Sequence, residues 1–144
     1  MNASFHQTIT NDFASLGGLM GSATVFLESR GVDAQAVYRI NLGLEEMVTN
    51  IIKYGYDAPG SYKIEITIDV GAKEVTAVII DDGHDFNPVL QERKPPAENL
   101  EDREIGGLGI HLIKKLLDRM EYRREEGRNI LEIATRRKQV TTSH

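Results

Sequence analysis

Cysteine is absent from the 144-residue sequence, which excludes disulfide bonds, cysteine-ligated zinc and thiol chemistry. A basic excess is absent as well. The formal net charge of −5 at pH 7 gives no electrostatic footprint for nucleic acid, so we expect no direct nucleic-acid partner. No apolar run approaches the ~20 residues that span a bilayer, and the N-terminus lacks the basic flank and apolar core of a signal peptide. A cytoplasmic protein without membrane contact is the default expectation.

The 40% of hydrophobic residues is ordinary for a globular protein, and the length predicts one domain over residues 1–144. Its longest periodic stretch, residues 33–56, predicts a helix. Asp33 is the expected N-cap, and Gly55 is the expected stop. The apolar residues that recur at three- and four-residue intervals are Val37, Ile40, Leu44, Met47, Val48 and Ile51.

The flanking segments predict an α+β fold. We expect an edge strand over residues 4–9, a helix over 11–30, and a hairpin whose strands are KIEITIDV and EVTAVIIDDG. A third helix opens at residues 106–109, and its predicted apolar face is Leu112, Ile113, Leu116, Leu117 and Met120. EYRRE and NILEIATRR form a closing hairpin. This order predicts a two-layer α/β sandwich, in which helices cover one face of a mostly antiparallel sheet. Residues 84–105 form a long charged loop, and residues 138–144 a frayed tail.

Three polar residues of the 33–56 helix fall along one edge of its buried stripe: Glu46, Asn50 and Lys53. A solvated polar margin is the simpler interpretation of one helix taken alone. As a site, the Asn50 amide oxygen suits magnesium, which keeps several waters and takes few protein ligands. Glu46 can accept a proton from a hydroxyl or water that attacks a γ-phosphate, and Lys53 can reach a phosphate.

Two glycine-bearing segments favour the ligand interpretation. Asp81 ends a strand that is apolar on both faces, where a carboxylate is costly unless it has a partner such as an exocyclic amino group. A simple turn at Asp81-Asp82-Gly83 is the competing interpretation. Residues 106–109, Gly-Gly-Leu-Gly, open a helix, where free N–H groups and the helix dipole favour phosphate.

Together these segments resemble a known superfamily, the GHKL ATPases and kinases. The E-x-x-x-N of Glu46 to Asn50 is similar to its N box, Asp81-Asp82-Gly83 to its first glycine box, and residues 107–110 to its second. The 84–105 loop occupies the place of the ATP lid. The branch that the chain most resembles is that of the anti-sigma-factor serine/threonine kinases, through the segments EEMVTNIIKYGY and IGGLGIHLIKKLLDRMEY.

The resemblance implies a Bergerat fold with an ATP and Mg²⁺ site. Asp81 would hold adenine, Asn50 would ligate magnesium, and Glu46 would be the general base. The other residues implied at the nucleotide are Lys53, Gly83, Gly106, Gly107, Leu108, Gly109 and Ile110. The partners implied are a sigma factor, which the protein would bind as a homodimer, and an anti-anti-sigma protein of the STAS fold, which it would phosphorylate.

Two departures from the superfamily pattern leave an alternative open. The first glycine box often reads D-x-G-x-G, and here its last position is Asp85. The lid is short and acid-rich, so its phosphate-reaching cation must come from Arg93, Lys94 or Arg103. The alternative is a catalytically weak or inactive ATP-binding module that works by partner binding alone. A histidine-kinase catalytic domain is disfavoured, because the 144 residues show no dimerisation helix or phospho-acceptor histidine module.

Overall fold

The computed structural model describes residues 3–88 and 107–138, which form three helices and five strands. The helices are α1 (Phe13–Ser29), α2 (Ala34–Tyr54) and α3 (Gly107–Leu116). The strands are β1 (Ala3–Thr10), β2 (Lys63–Val70), β3 (Glu74–Asp81), β4 (Arg119–Glu125) and β5 (Arg128–Arg136). No helix in this described part of the chain is both long and apolar enough to span a bilayer.

The five strands form one antiparallel sheet in the order β1-β2-β3-β5-β4. The central strand is therefore β3, which pairs with β2 through the first hairpin and with β5 on its other side. In the β3–β5 register, Asp81 lies opposite Asn129. A tight turn joins β4 to β5 with two successive left-handed residues, Glu126 (φ 52°) and Gly127 (φ 76°), which match the twist of a two-residue hairpin.

The helices cover one face of the sheet. Alternate residues of β2, β3 and β5 are buried in the same apolar cluster as residues of all three helices. The opposite face carries ion pairs instead, such as those of Arg119 with Glu74 and Glu132. This arrangement confirms the predicted two-layer sandwich and the α+β class.

Local signals account for the two long helices. Asp12 accepts a hydrogen bond from the backbone N–H of Ser15, and Asp33 accepts one from that of Ala36 at 3.3 Å, so both helices begin at an aspartate N-cap. Gly43 lets α2 lie close to the sheet, because a Cβ at this position would be 2.7 Å from the Ile133 side chain. This close approach brings the second half of α2 over the ends of β3 and β5.

The predicted helices, edge strand and hairpins are confirmed within the described residues, with three corrections. Leu112 is 48% exposed rather than buried, and Met120 lies in β4 rather than on the third helix. Gly55 ends α2 as predicted, but with right-handed backbone (φ −74°) and not the left-handed form of a glycine stop. Of the predicted lid, residues 89–105, with the candidate cations Arg93, Lys94 and Arg103, lie outside the described residues, as do Gly106 and residues 139–144 of the tail.

Candidate functional site

A cleft of about 450 Å³, its open mouth included, lies between α2 and the ends of β3 and β5. Most of its wall is apolar: Met47, Ile51, Ile79, Phe86, Pro88 and Leu131. The polar side chains on the wall include Asn50 of α2, Asp81 of β3 and Asn129 of β5. An apolar slot with a few convergent polar groups is the usual form of a small-molecule site, and flat apolar walls suit a purine ring.

Asp81 is 6% exposed at the end of β3, and its carboxylate accepts two hydrogen bonds. Both reach Oδ1: one from the backbone N–H of Gly83 at 2.9 Å and one from Nδ2 of Asn129 at 3.0 Å. Burial raises the pKa of Asp81 above its ordinary value of 3.8, and these two hydrogen bonds oppose that shift. Since the described residues give their donors to Oδ1, Oδ2 is the acceptor that a ligand amino group can use.

Asn129 is a residue of the candidate site that sequence reasoning missed. Its Oδ1 accepts the Tyr122 hydroxyl at 2.5 Å and Arg124 Nη1 at 2.8 Å, so its Nδ2 is directed to Asp81 and to the His84 carbonyl at 3.0 Å. The amide is thereby fixed in one orientation. A sequence signal did exist, because Asn129 alternates in phase with the inward-facing Leu131 and Ile133 of the closing hairpin.

The segment after Asp81 is held by backbone contacts. Arg124 Nη1 donates to the Gly83 carbonyl at 3.1 Å, and the backbone N–H of His84 donates to the Gly55 carbonyl at 3.0 Å. A Cβ at Gly83 would overlap the Gly55 carbonyl oxygen, so glycine is required here by close packing on the end of α2. The first glycine box is thus joined to the helix that carries the N box.

Asn50 is 6% exposed and uses its amide nitrogen internally. Nδ2 donates to the Glu46 carbonyl at 2.7 Å and approaches Glu46 Oε1 at 3.5 Å. The amide oxygen therefore remains for the cleft. No group of three or more carboxylate or imidazole side chains able to cage a cation occurs in residues 3–88 and 107–138, and one amide oxygen fits the sparse protein ligation that Mg²⁺ takes beside phosphates.

Glu46 is half-buried one turn before Asn50. Burial raises the pKa of its carboxyl, and the hydrogen bond from Asn50 and the charge of Lys53 oppose the shift. Lys53 itself is exposed and lies outside the cleft wall. The structure thus keeps the three predicted N-box residues on one edge of α2 but places only Asn50 on the wall of the cleft.

The second glycine box forms the start of α3. Gly107 is its first residue, and Gly109 lies directly against the Glu46 carboxylate. Ile110 is 2% exposed within the apolar core, which leaves its backbone as the part that can face a ligand. Gly106 and the side chain of Leu108 lie outside what the structure describes. The roles of these residues at a nucleotide stay predictions.

Comparison with known proteins identifies the kind of domain. The family described as the histidine kinase-like ATPase domain matches residues 9–135. The serine-protein kinase RsbW of Listeria innocua is 27% identical over 141 residues, with 90% of this chain and 87% of the relative covered. The anti-sigma F factor of Clostridium beijerinckii is 27% identical over 88 residues, which are 61% of this chain and 62% of that protein.

A solved structure supports the fold. The crystal structure of the RsbU and RsbW domains of a Mycobacterium tuberculosis protein superposes with a TM-score of 0.64 at 16% identity. The match covers 94% of this chain and 32% of the other, so this chain spans about a third of that longer protein. At this identity the likeness shows the fold alone.

Proposed function

The chain belongs to the family of histidine kinase-like ATPase domains, and from that premise we propose that it is an ATP-dependent serine/threonine protein kinase acting as an anti-sigma regulatory factor. ATP is the nucleotide that the family implies. The observation that carries the proposal is the meeting of Asp81 and Asn50 in one cleft, with Glu46 one turn along α2. Asp81 offers a hydrogen-bond acceptor for a nucleobase, Asn50 a ligand for a cation, and Glu46 a carboxylate able to take a proton.

Each group has a defined part in the proposal. Asp81 binds the adenine amino group through Oδ2 and orients the base between apolar walls. Asn50 would hold Mg²⁺ through its amide oxygen, and the ion would supply charge neutralisation at the phosphates. Glu46 accepts the proton of the attacking serine or threonine hydroxyl, and the pKa raised by burial makes it a stronger base.

The proposed partners follow from the relatives. One is named a serine-protein kinase and another an anti-sigma F factor, which supports a chain that phosphorylates one protein and binds a sigma factor. We propose a STAS-domain anti-anti-sigma protein as the phosphate acceptor, and a homodimer as the form that binds the sigma factor. Lys53, outside the cleft wall, is proposed as a phosphate contact that forms when the nucleotide is bound.

The deciding experiment is phosphate transfer from labelled ATP to a purified STAS-domain protein of the source organism, with Glu46→Gln as the test variant. A positioned general base contributes about 10²- to 10⁴-fold, so Glu46→Gln should lose that much transfer while it keeps its ATP affinity. The matched control is Glu28→Gln, at an exposed position of α1. Equal loss of transfer and ATP affinity in a folded Glu46→Gln variant would remove Glu46 from the role of base.

The second candidate is the partner-binding module without kinase activity, and one observation favours it. Asp85 stands exposed at the position of the second glycine of the D-x-G-x-G pattern, where it adds negative charge beside the cleft. ATP binding and sigma-factor binding without transfer to any STAS-domain protein would support this candidate. Transfer that increases in Asp85→Gly would support a kinase weakened at this position.

A further inference from the structure

Gly109, in the first turn of α3, lies against the carboxylate of Glu46. A Cβ built on Gly109 would overlap both carboxylate oxygens and the carboxyl carbon of that side chain. The space that a side chain would fill at position 109 is therefore taken by the end of Glu46. On its other side the same carboxylate meets Nδ2 of Asn50 at 3.5 Å.

The neighbours of the other glycines are different in kind. At Gly83 the nearest obstacle to a Cβ is the Gly55 carbonyl, with Asp81 Oδ1 next at 3.0 Å, and at Gly43 it is Cδ1 of the core residue Ile133 at 2.7 Å. Gly55 belongs to the backbone that ends α2, and Ile133 is packed in the apolar core. At Gly17 and Gly18 of α1 nothing lies within 4 Å of the added atom. Among these five positions, 109 is the one at which the atoms nearest to an added methyl group all belong to the end of a polar side chain.

We propose that Gly109 is a positioning residue for Glu46: its missing side chain provides the space in which the carboxylate is held between α3 and Asn50. The inference rests on the proposed kinase function, in which Glu46 is the base. On this proposal the second glycine box has a second role, the positioning of Glu46, in addition to phosphate contact. A methyl group at 109 displaces the carboxylate by rotation about its side-chain bonds, and this leaves α2 and α3 in place.

The kinetic test is Gly109→Ala, alone and combined with Glu46→Gln. The single variant should reduce phosphate transfer at least about tenfold, part of the range that a base supplies, and keep its Kd for Mg²⁺-ATP within about threefold. In the Glu46→Gln background, Gly109→Ala should cause no further loss, because residues that act through one another are not additive. Gly18→Ala is the matched control and should leave transfer unchanged.

The structural test does not depend on activity. A crystal structure of Gly109→Ala should show α3 unmoved and the Glu46 carboxylate turned away from its natural position. If α3 moves and the carboxylate stays, the proposal is wrong. It is also wrong if ATP affinity falls while turnover is kept, or if the two substitutions give losses that multiply. If the natural protein transfers no phosphate, the proposed function fails, while the crystal structure still decides whether Gly109 positions Glu46.

Discussion

At one end of the cleft the Asp81 carboxylate accepts hydrogen bonds from Gly83 and Asn129, and Asn129 is held in turn by Tyr122 and Arg124. At the other end of the candidate site, one turn of α2 beyond the cleft wall, the described residues give the Glu46 carboxylate one donor, the Asn50 amide at 3.5 Å. We refer to these as the Asp81 end and the Glu46 end. The Asp81 end is fixed before any ligand arrives, whereas the Glu46 end leaves polar atoms for a ligand to complete.

The difference follows from the elements that build each end. The Asp81 end lies on paired strands, where the ladder fixes which side chains are opposite one another. The Glu46 end lies where two helices meet, and its contacts depend on side-chain ends and on a glycine. A nucleotide that spans the site would be oriented by the Asp81 end and would react at the Glu46 end.

The largest effect on ATP affinity should come from Asp81→Asn, which removes the charged acceptor of the Asp81 end. The variant replaces a charged acceptor by an amide, and a hydrogen bond to a charged group contributes about 1.5–3 kcal/mol, or roughly 10- to 150-fold in affinity. Calorimetric titration with ATP, with and without Mg²⁺, measures the change. The control is Glu28→Gln, an exposed carboxylate of α1 outside the cleft wall. Unchanged ATP affinity in Asp81→Asn would show that Asp81 does not bind the nucleotide.

Asn129→Ala breaks the network behind Asp81 without touching the carboxylate itself. It leaves a buried acceptor with one donor fewer, and an unsatisfied buried group costs about 1–3 kcal/mol. Urea denaturation should show that loss, and ATP affinity should fall with it. Arg123→Ala, an exposed position of β4, serves as the control. Full stability in Asn129→Ala would show that the network is not what fixes this end.

The protonation of Asp81 should affect both the stability of the protein and its affinity for ATP, so both can be measured as a function of pH. Because burial raises the pKa of Asp81, the folded protein holds this proton more tightly than the unfolded chain. Its contribution to stability is therefore present below pH 3.8 and lost as pH rises through the folded pKa. ATP binding needs the deprotonated acceptor, so affinity should rise over the interval in which this contribution falls, at most about tenfold per pH unit. Asp81→Asn should remove both pH trends. If the variant still shows the pH dependence of the natural protein, Asp81 is not the group that causes it.

The smallest effect on stability should come from Asn50→Ala at the Glu46 end. The change removes a side-chain contact within α2, and alanine's helix propensity, better by up to about 0.7 kcal/mol, offsets that loss. Thermal unfolding should hardly change, while the Mg²⁺-dependent part of ATP affinity is lost. A large fall in stability would mean that this end is as rigidly built as the other. Unchanged magnesium dependence would remove Asn50 as the metal ligand.

The sequence predicted the structure well where a local pattern of residues is typical of one kind of element. Aspartate N-caps, apolar periods and the alternation of KIEITIDV predicted α2 and the first hairpin. The family resemblance predicted one nucleotide site at residues 46, 50 and 81; Asn50 and Asp81 lie on the wall of one cleft, and their roles at a nucleotide stay predictions. Asn129 was missed because its importance depends on pairing between strands that are 48 residues apart in the chain. The outward turn of Leu112 was also missed, since a short helix leaves open which apolar face meets the core.

The two-residue turn between β4 and β5 sets which side chains of β4 face Asn129. The alternate side chains of β5 fill the core and keep that strand in place, so one residue inserted at 126–127 would turn the edge strand β4 over. Tyr122 and Arg124 would then face away from Asn129. Members of this lineage that keep the same network should therefore tolerate substitutions in this turn far better than insertions or deletions.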